Sequence, residues 1–474
     1  MRKRVHIPPE DRIPQYQKVL FSFGGKMDYI ATGMLTGILW MPFFNIGLGM
    51  KPATLGLILM ALRGWDAITD PIMGNISDNT RTRWGRRRPF ILLGAILTAC
   101  FFPAFWFMPE TLSETGKITY LILIGISFFT CFTVWSMPYY SMQMELTPNY
   151  DERTRLMAWF TFFGKLTALA GGWMLSLLSS SLFANPETGE PDIVHGMQVA
   201  CWFIAGMIVF MGILPAIVGK ERYYQKDASK QAKDPFSKSL KESVTCGPMW
   251  CLIGVAFFLT LGSYSISSLV QYINIYFISG GEISVGATLV GWKTTVLVVT
   301  GICCIPLWTK VGEILDKRTT LLCMLALAII GQLLNIFCLR PDMPYLQLIP
   351  AVFEAASITA IWLFLPSMKA DVADYDELKT HRRREGSLNA FFSWFMKAAM
   401  TGAMGVGGLV LTVSGFDAAI GEQPPEVLSR MFTLFISLPV VMWSLALLMV
   451  ILYPLSRKRM AEIREQLEAR RGKV

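Results

Sequence analysis

The chain alternates between apolar blocks long enough to cross a lipid bilayer and short connections that carry most of the charge. A helix needs roughly 20 apolar residues to cross the hydrocarbon core, and there only helices and closed barrels satisfy every backbone polar group. Charged residues make up 16% of the chain, whereas soluble domains carry about 25%. The sequence therefore predicts an all-α membrane protein with twelve transmembrane helices, at about residues 18–42, 53–78, 90–108, 118–143, 157–182, 196–219, 247–277, 283–309, 319–338, 346–369, 388–414 and 430–455.

Basic residues are concentrated in every second connection between these blocks. Residues 81–88, 310–318, 382–384 and 457–473 are rich in Lys and Arg, whereas the alternate connections carry few. Since positive loops stay on the cytoplasmic side, we expect a multi-pass protein of the cell inner membrane with both termini in the cytoplasm. The N-terminus lacks the pattern of a cleaved signal peptide, so the first block is predicted to be a retained helix. Topology and attraction to anionic lipid also explain the net charge of +9, and no nucleic-acid partner is expected.

An internal repeat divides the chain into two similar halves. Gly74-x-x-x-Asp78 after the second block matches Gly312-x-x-x-Asp316 after the eighth, and Tyr150-Asp151-Glu152 matches Tyr375-Asp376-Glu377. Repeats of this kind are typical of transporters built from two related bundles. We therefore predict two pseudo-symmetric six-helix bundles. Their predicted bounds are 1–219 and 247–455, with a polar cytoplasmic linker at 220–246 and a cytoplasmic tail at 456–474.

A pair of acids in the second block is the main functional feature of the sequence. Asp66 and Asp70 lie one helical turn apart on one face, with Thr69 beside them. Two close carboxylates in a low dielectric do not both stay charged unless a cation joins them, and hard cations prefer such oxygens. The pair therefore predicts a site for Na⁺, with H⁺ as the alternative ion. The competing interpretation is a salt bridge between Arg63 and Asp66, which leaves Asp70 unexplained. Lys397, about ten residues into the eleventh block, is predicted to balance the charge of the pair when no cation is bound.

Other classes of protein fit the sequence less well. It has no HExxH, GxSxG or GxxxxGK[ST] string, and its three histidines lie outside the blocks. We therefore predict no enzyme activity, no catalytic residues and no cofactor. A channel is disfavoured because a paired-acid site without a polar pore-lining stripe suits binding better than conduction. A membrane receptor without transport stays open, and no obligate protein partner is evident. Aromatic residues in the blocks would stack on sugar rings, although packing in the core or against lipid is the ordinary interpretation for any one of them.

Two long motifs resemble the glycoside–pentoside–hexuronide:cation symporters, a family of the major facilitator superfamily that includes melibiose-permease-like proteins. The motifs are residues 65–74 (WDAITDPIMG) with 78–89 (DNTRTRWGRRRP), and residues 370–377 (ADVADYDE) with 384–386 (REG). The resemblance runs from the first block to the last and implies the major facilitator fold. It also implies a Na⁺ site formed by Asp66, Thr69, Asp70 and Thr133, with Arg63 and Lys397 as the family's charge-balancing residues.

The resemblance is weaker at the sugar site. The family's positions for substrate fall on Lys26, Asp28, Trp135, Ser136, Tyr140, Thr161 and Trp362. Gly25-Lys26-Met27-Asp28 has one residue more than the family's Gly-Lys-Asp, and Ser136 stands where the melibiose-permease-like members have an acid. This lost acid, together with Lys26, Lys165 and Lys293 in the blocks, indicates an anionic sugar such as a uronide.

The family resemblance also implies transport by alternating access. The charged connections on the cytoplasmic side of the protein are predicted to hold that side closed in the outward-facing state. The residues involved are Asp78, Arg81, Arg87, Asp151, Asp371 and Asp376. The sequence thus predicts a cation-coupled symporter of a small sugar or glycoside, working in the bilayer. The alternative within the same fold is a transporter of a lysolipid or another amphiphile.

Overall fold

In a computed structural model, the chain is described at residues 12–109, 111–146, 150–183, 192–219, 246–380, 385–418, 420 and 422–471. Six long helical passes form the first half of the chain. The first consists of α1 (Gln15–Gly24) and the π-helical segments Tyr29–Gly33, Leu35–Leu39 and Pro42–Gly47. The others are α2 (Pro52–Asn79), α3 (Arg88–Phe101), α4 (Glu114–Glu145), α5 (Tyr150–Leu178) and α6 (Ile193–Val218).

The second half of the chain repeats this order. Its passes are α7 (Gly247–Tyr272, continued by π-helical Ile273–Ile278), α8 (Ile283–Ile314), α9 (Lys317–Cys338), α10 (Leu348–Thr380), α11 (Glu385–Ser414) and α12 (Pro425–Leu452). A further helix, α13 (Arg457–Arg471), follows them. Internal contacts divide the chain into two compact units, Met1–Ala232 and Lys233–Val474, here called the N-terminal and C-terminal units.

Helix pairing is the same in the two units. In the N-terminal unit, α3 packs against α4 and α6, α1 against α5 and α6, and α2 against α4. In the C-terminal unit, α9 packs against α10 and α12, α7 against α11 and α12, and α8 against α10. Each pair corresponds to its counterpart six helices later in the chain. The predicted fold class, two pseudo-symmetric bundles of six transmembrane helices, is therefore confirmed.

Small residues set the closest helix contacts, as is common in membrane bundles. A Cβ atom at Gly94 on α3 would lie 2.5 Å from the backbone nitrogen of Trp135 on α4. At the equivalent contact in the C-terminal unit, a Cβ atom at Gly331 would lie 2.5 Å from the Cβ of Phe353. Only glycine fits at these two positions, so they fix how α4 and α10 approach their neighbours.

Nine helices among the described residues are long and apolar enough to cross a membrane by composition alone. The three passes that do not meet this criterion are the first, the second and the tenth. In the first, π-helical turns interrupt the α-helix. The other two carry ionisable residues within the helix: Arg63, Asp66 and Asp70 on α2, and Glu354 and Asp371 on α10. Low apolar character thus marks the helices that carry most of the intramembrane charge.

Each unit has an equivalent internal contact at the end of its last transmembrane helix. The guanidinium of Arg88 donates to the carbonyl of Ala216 at 2.5 Å, near the end of α6. In the C-terminal unit, Arg318 donates to the carbonyls of Val450, at 3.2 Å, and Ile451, near the end of α12. A cation at a helix C-terminus satisfies free carbonyls and favours the helix dipole. This correspondence supports the internal repeat seen in the two connections.

Candidate functional site

Asp66 lies within a cluster of buried oxygen atoms between α2 and α4. The hydroxyl of Thr133 on α4 donates to Asp66 Oδ1 at 3.0 Å. Thr69 Oγ1 lies 3.2 Å from Thr133 Oγ1 and also 3.2 Å from the backbone carbonyl of Asp66. Asp70 is buried one turn further along α2. The oxygen atoms of Asp66, Thr69 and Thr133 are therefore brought together from two helices.

Arg63 provides the positive charge beside this cluster. Its Nη1 lies 3.5 Å from Asp66 Oδ2, three residues along the same helix. Its guanidinium carbon also lies 5.2 Å from the centroid of the Phe129 ring, and Nη2 donates to Thr36 Oγ1 at 3.4 Å. The salt bridge that competed with a cation site in the sequence is thus present. It engages Oδ2 of Asp66, whereas Oδ1 faces Thr133.

The donor set at this cluster suits a hard monovalent cation. Carboxylate and hydroxyl oxygens are the ligands that such ions prefer, and the cluster contains neither sulfur nor imidazole. Because Asp66 is 8% exposed and Asp70 is 7% exposed, the carboxylates lie in a low dielectric where a second unpaired negative charge is costly. The same groups also fit a proton.

A second polar cluster surrounds Asp28 on the first pass. Tyr140 on α4 donates a short hydrogen bond to Asp28 Oδ2, and the hydroxyl of Thr32 lies 3.1 Å from Asp28 Oδ1. Thr133 and Tyr140 are seven residues apart on α4, so they share one face of the helix about 10 Å apart. Ser136 lies between them and is buried, and its hydroxyl has no hydrogen-bond partner among the described residues. One face of α4 therefore contacts both clusters.

Lys26 is a buried cation close to Asp28 in the chain. Its side chain is enclosed by α5, where Nζ lies 3.0 Å from the centroid of the Phe160 ring. Nζ would lie 3.1 Å from a Cβ atom at Gly164, so a larger residue there would displace it. Within the described part of the chain Nζ makes no hydrogen bond or ion pair. A buried ammonium that lies over an aromatic ring is well suited to receive an anionic group.

Other residues predicted for the substrate site occupy different surroundings. Trp135 is fully buried, donates its indole N–H to the Gly212 carbonyl at 2.9 Å and stacks on Tyr139 at 4.8 Å. This indole is therefore part of the packing between α4 and α6, which is the ordinary interpretation of an aromatic residue. Thr161 lies on an exposed face of α5. The side chain of Trp362 lies outside the described residues.

The predicted gate residues and Lys397 are only partly described. Lys397 lies on an exposed face of α11 in the C-terminal unit, so its approach to the acid pair stays a prediction. Asp371 accepts a 2.6 Å hydrogen bond from Lys317, and Asp376 is buried on α10. Arg81 is exposed and Arg87 is buried. The side chains of Asp78 and Asp151 fall outside the described residues. A latch between the units is therefore also still a prediction.

The structure contains two buried ion pairs that were not predicted from the sequence. Lys18 on α1 lies 2.9 Å from Glu152 on α5, and Glu152 also accepts from Arg155 at 2.8 Å and from the Ile13 N–H at 3.1 Å. Burial alone would raise the pKa of Glu152, but these donors outweigh it and hold that pKa below its usual value. Glu152 belongs to the repeated Tyr-Asp-Glu motif, which was the one signal that would have drawn attention to it.

The second ion pair lies in the interior of the C-terminal unit. Lys293 on α8 lies 3.1 Å from Glu354 Oε2 on α10, and Asn335 on α9 donates to Glu354 Oε1 at 2.7 Å. The sequence marks both ionisable residues as intramembrane charges, but no local pattern pairs residues 61 positions apart. Because Glu354 already neutralises Lys293, Lys293 does not support the prediction of an anionic substrate. Lys26 and Lys165 are the two remaining lysines that support it.

Three relatives of similar length are named as symporters or as a carrier. An uncharacterised symporter of Synechocystis sp. is 27% identical, over 91% of this chain and 93% of the relative. The glucuronide carrier protein homolog of Escherichia coli is 24% identical, over 95% of each chain. The sodium-dependent lysophosphatidylcholine symporter 1 of Gallus gallus is 23% identical, over 97% of this chain and 90% of the relative.

The fold is also that of a solved transporter. The crystal structure of a bacterial homologue of the human lysosomal transporter Spinster matches with a TM-score of 0.62 and 14% identity, over 98% of this chain and 99% of that one. The family model described as MFS/sugar transport protein matches residues 22–457. The predicted resemblance is confirmed: the chain belongs to the MFS/sugar transport protein family, and it is a multi-pass membrane transporter and not an enzyme.

Proposed function

We propose that this protein is a cation-coupled symporter of a sugar or glycoside, with Na⁺ as the coupling ion and H⁺ as the alternative. The observation that carries the proposal is the oxygen cluster of Asp66, Thr69 and Thr133, with Asp70 buried one turn further along α2. Two buried carboxylates inside a membrane bundle cost insertion energy, and such groups are functional by default. The relatives named as symporters support the coupling of two solutes.

Cation binding and substrate binding support each other in this proposal. A cation between Asp66 and Asp70, together with the charge of Arg63, neutralises the pair. Cation binding thereby raises the affinity for substrate, and substrate raises the affinity for the cation by the same factor. The loaded protein then exposes its site to the other side of the membrane by alternating access. We place both termini in the cytoplasm of a cell with the protein in its inner membrane, and assign Lys397 and the charged connections to charge balance and latching.

An anionic glycoside such as a uronide is the substrate that the N-terminal unit favours. Lys26 provides a buried positive charge whose described contacts are aromatic. Ser136 removes the negative charge that the melibiose-permease-like members carry at this position. Asp28 and Tyr140 would bind sugar hydroxyl groups. The glucuronide carrier among the relatives supports this assignment of substrate class.

Uptake into proteoliposomes tests the proposal directly. The purified protein is reconstituted, and counterflow of uronides and neutral glycosides is measured with Na⁺, with a pH gradient, and with neither. We expect Na⁺-dependent counterflow that favours a uronide. Asp66→Asn and Asp70→Asn should each abolish cation-driven accumulation, whereas Asp342→Asn, at an exposed loop position, should leave it unchanged. Intact accumulation in both of the first two variants would refute the proposal.

A second candidate substrate, a single-chain amphiphile, is favoured by one observation. An apolar cavity of about 660 Å³ lies between the first pass, α5 and α6, lined by residues that include Phe23, Met34, Ala170, Trp173, Met207 and Met211. Its volume falls within the range of small-molecule sites, roughly 300–1,000 Å³. Relatives named as lysophosphatidylcholine symporters point the same way. Na⁺-dependent uptake of a lysophospholipid without uptake of any glycoside would select this candidate.

A further inference from the structure

Hydrogen bonds connect the cation cluster to Asp28 through side chains that the sequence did not single out. From Asp66, the contacts pass to Arg63 at 3.5 Å and from Arg63 Nη2 to Thr36 Oγ1 at 3.4 Å. Thr36 donates to the backbone carbonyl of Thr32 at 2.8 Å, and the Thr32 hydroxyl lies 3.1 Å from Asp28 Oδ1. These polar contacts, with residue Thr32 as the covalent link between the last two, join the two predicted binding sites inside one unit.

These contacts are hydrogen bonds on both sides of Thr32, and the covalent frame of Thr32 joins them. The guanidinium donates to Thr36 Oγ1, the Thr36 hydroxyl donates to the backbone carbonyl of Thr32, and the side-chain hydroxyl of Thr32 lies within reach of Asp28 Oδ1. A movement of Thr36 therefore acts on Asp28 through the position of residue Thr32. Thr32 is 3% exposed and Thr36 is 6% exposed, so these hydrogen bonds lie in a low dielectric, where they are stronger than in water.

Thr32 has two acceptors for its single hydroxyl proton. Its Oγ1 lies 3.0 Å from the backbone carbonyl of Asp28 and 3.1 Å from the carboxylate oxygen Oδ1. The hydroxyl is therefore an element with two nearly equivalent states. When it turns to Oδ1, it occupies a lone pair of Asp28 that would otherwise accept from a substrate hydroxyl. A discrete two-state element of this kind is what energetic coupling between two sites requires.

An ordinary structural role explains only part of this arrangement. Threonine hydroxyls often donate to the carbonyl four residues earlier in a helix. Thr98 on α3 does so at 2.7 Å and contacts no charged group among the described residues. Thr32 and Thr36 differ because each also meets an ionised side chain. Both lie in π-helical segments, Tyr29–Gly33 and Leu35–Leu39, and π turns frequently mark functional positions.

We propose that Thr36 and Thr32 are positioning residues that relay the state of the cation site to Asp28 through Arg63. Without a cation, Asp66 holds the guanidinium. When a cation binds the acid pair, it competes for Asp66, and the guanidinium donates more strongly to Thr36. Thr36 then holds the Thr32 carbonyl differently and shifts the π-helical turn Tyr29–Gly33 that carries Thr32. This movement changes which of its two acceptors the Thr32 hydroxyl meets and resets Asp28 for substrate. The relay rests on the proposed cation-coupled transport and adds a route for the coupling.

The test measures equilibrium binding, with 4-nitrophenyl β-glucuronide as the probe. Its dissociation constant is determined by isothermal titration calorimetry on the purified full-length protein with and without Na⁺, and the ratio of the two values is the coupling factor. Na⁺ binding by itself is followed through Na⁺-dependent thermal stabilisation. The variants are Thr36→Val, which removes the hydroxyl at nearly constant shape, Thr36→Ser, which retains it, and Thr98→Val as the matched control.

We expect Thr36→Val to bind Na⁺ and the glucuronide separately but to lose most of the coupling factor, which for coupled sites is typically about 5- to 150-fold. Thr36→Ser and Thr98→Val should keep the coupling factor of the unmodified protein. A coupling factor in Thr36→Val equal to that of the unmodified protein would overturn the relay while leaving the proposed function intact. The same titration is repeated at a second pH, and an unmodified protein whose binding of the glucuronide responds neither to Na⁺ nor to pH would overturn both.

Discussion

The buried pair of Lys293 and Glu354 allows a quantitative prediction. Their side chains are 4% and 8% exposed, so removing one partner leaves an uncompensated charge inside the C-terminal unit. Such a loss typically costs about 3–5 kcal/mol, whereas replacing both partners with apolar residues is often neutral. We therefore expect Lys293→Met and Glu354→Leu each to lower the free energy of unfolding by about 4 kcal/mol.

The double variant should be more stable than either single variant. Its remaining cost comes from Asn335, which loses its 2.7 Å acceptor on Glu354 but keeps a 3.3 Å contact with Gln332. A buried donor that loses its partner costs about 1–3 kcal/mol. At about 2–4 °C per kcal/mol for a unit of this size, the single variants should melt about 8–16 °C below the unmodified protein. By the same conversion, the double variant should melt about 2–12 °C below the unmodified protein.

Thermal unfolding in detergent provides the measurement. A thiol-reactive dye reports the exposure of Cys246 and Cys338, which are buried free cysteines of the C-terminal unit. Arg430→Gln is the matched control, since Arg430 and Glu426 form a 3.8 Å pair at the surface of the same unit, and exposed pairs contribute at most about 1 kcal/mol. If the losses of the two single variants simply add in the double variant, the pair is not coupled and the reasoning fails.

Two other substitutions test the packing and the charge of the N-terminal unit. Glu152→Gln should lower the melting temperature at neutral pH, because it removes the carboxylate that Lys18 and its other donors stabilise. Since the pKa of Glu152 is lowered, this stabilisation is complete above about pH 4.5 and is lost as the pH falls further. The melting temperature is therefore measured between pH 7 and roughly pH 3. The variant should lose less of its melting temperature on acidification than the unmodified protein. Gly94→Ala should separate α3 from Trp135 and cost about 1–3 kcal/mol through overpacking, whereas Gly206→Ala, with open space around it, should be neutral or stabilising in the same scans. Equal pH profiles, or equal melting temperatures for the two glycine variants, would contradict these expectations.

The sequence alone determines the passes and the position of the acid pair on one helix. A bilayer imposes one requirement on every pass, which is an apolar stretch of about 20 residues with an internally satisfied backbone. The helical period then places Asp66, Thr69 and Asp70 close together, whatever the rest of the fold does. The internal repeat predicts equivalent bundles for the same reason, since similar local sequences form similar helix pairs.

The tertiary structure alone decides which side chains meet across helices. Thr133 is a partner of Asp66 because α2 and α4 pack closely, at a contact where a Cβ atom on Gly125 of α4 would lie 2.5 Å from Leu62 Cδ1 of α2. Only the family resemblance indicated that partner beforehand. Thr36 reaches Arg63 from a first pass with π-helical turns, whose wider spacing rotates side chains away from the face that an α-helical period predicts. Lys293 finds Glu354 across 61 residues of chain. The residues that share a face of one helix are set by their spacing in the sequence. The residues that meet across two helices are set by packing over the whole bundle, so a local sequence pattern does not predict them.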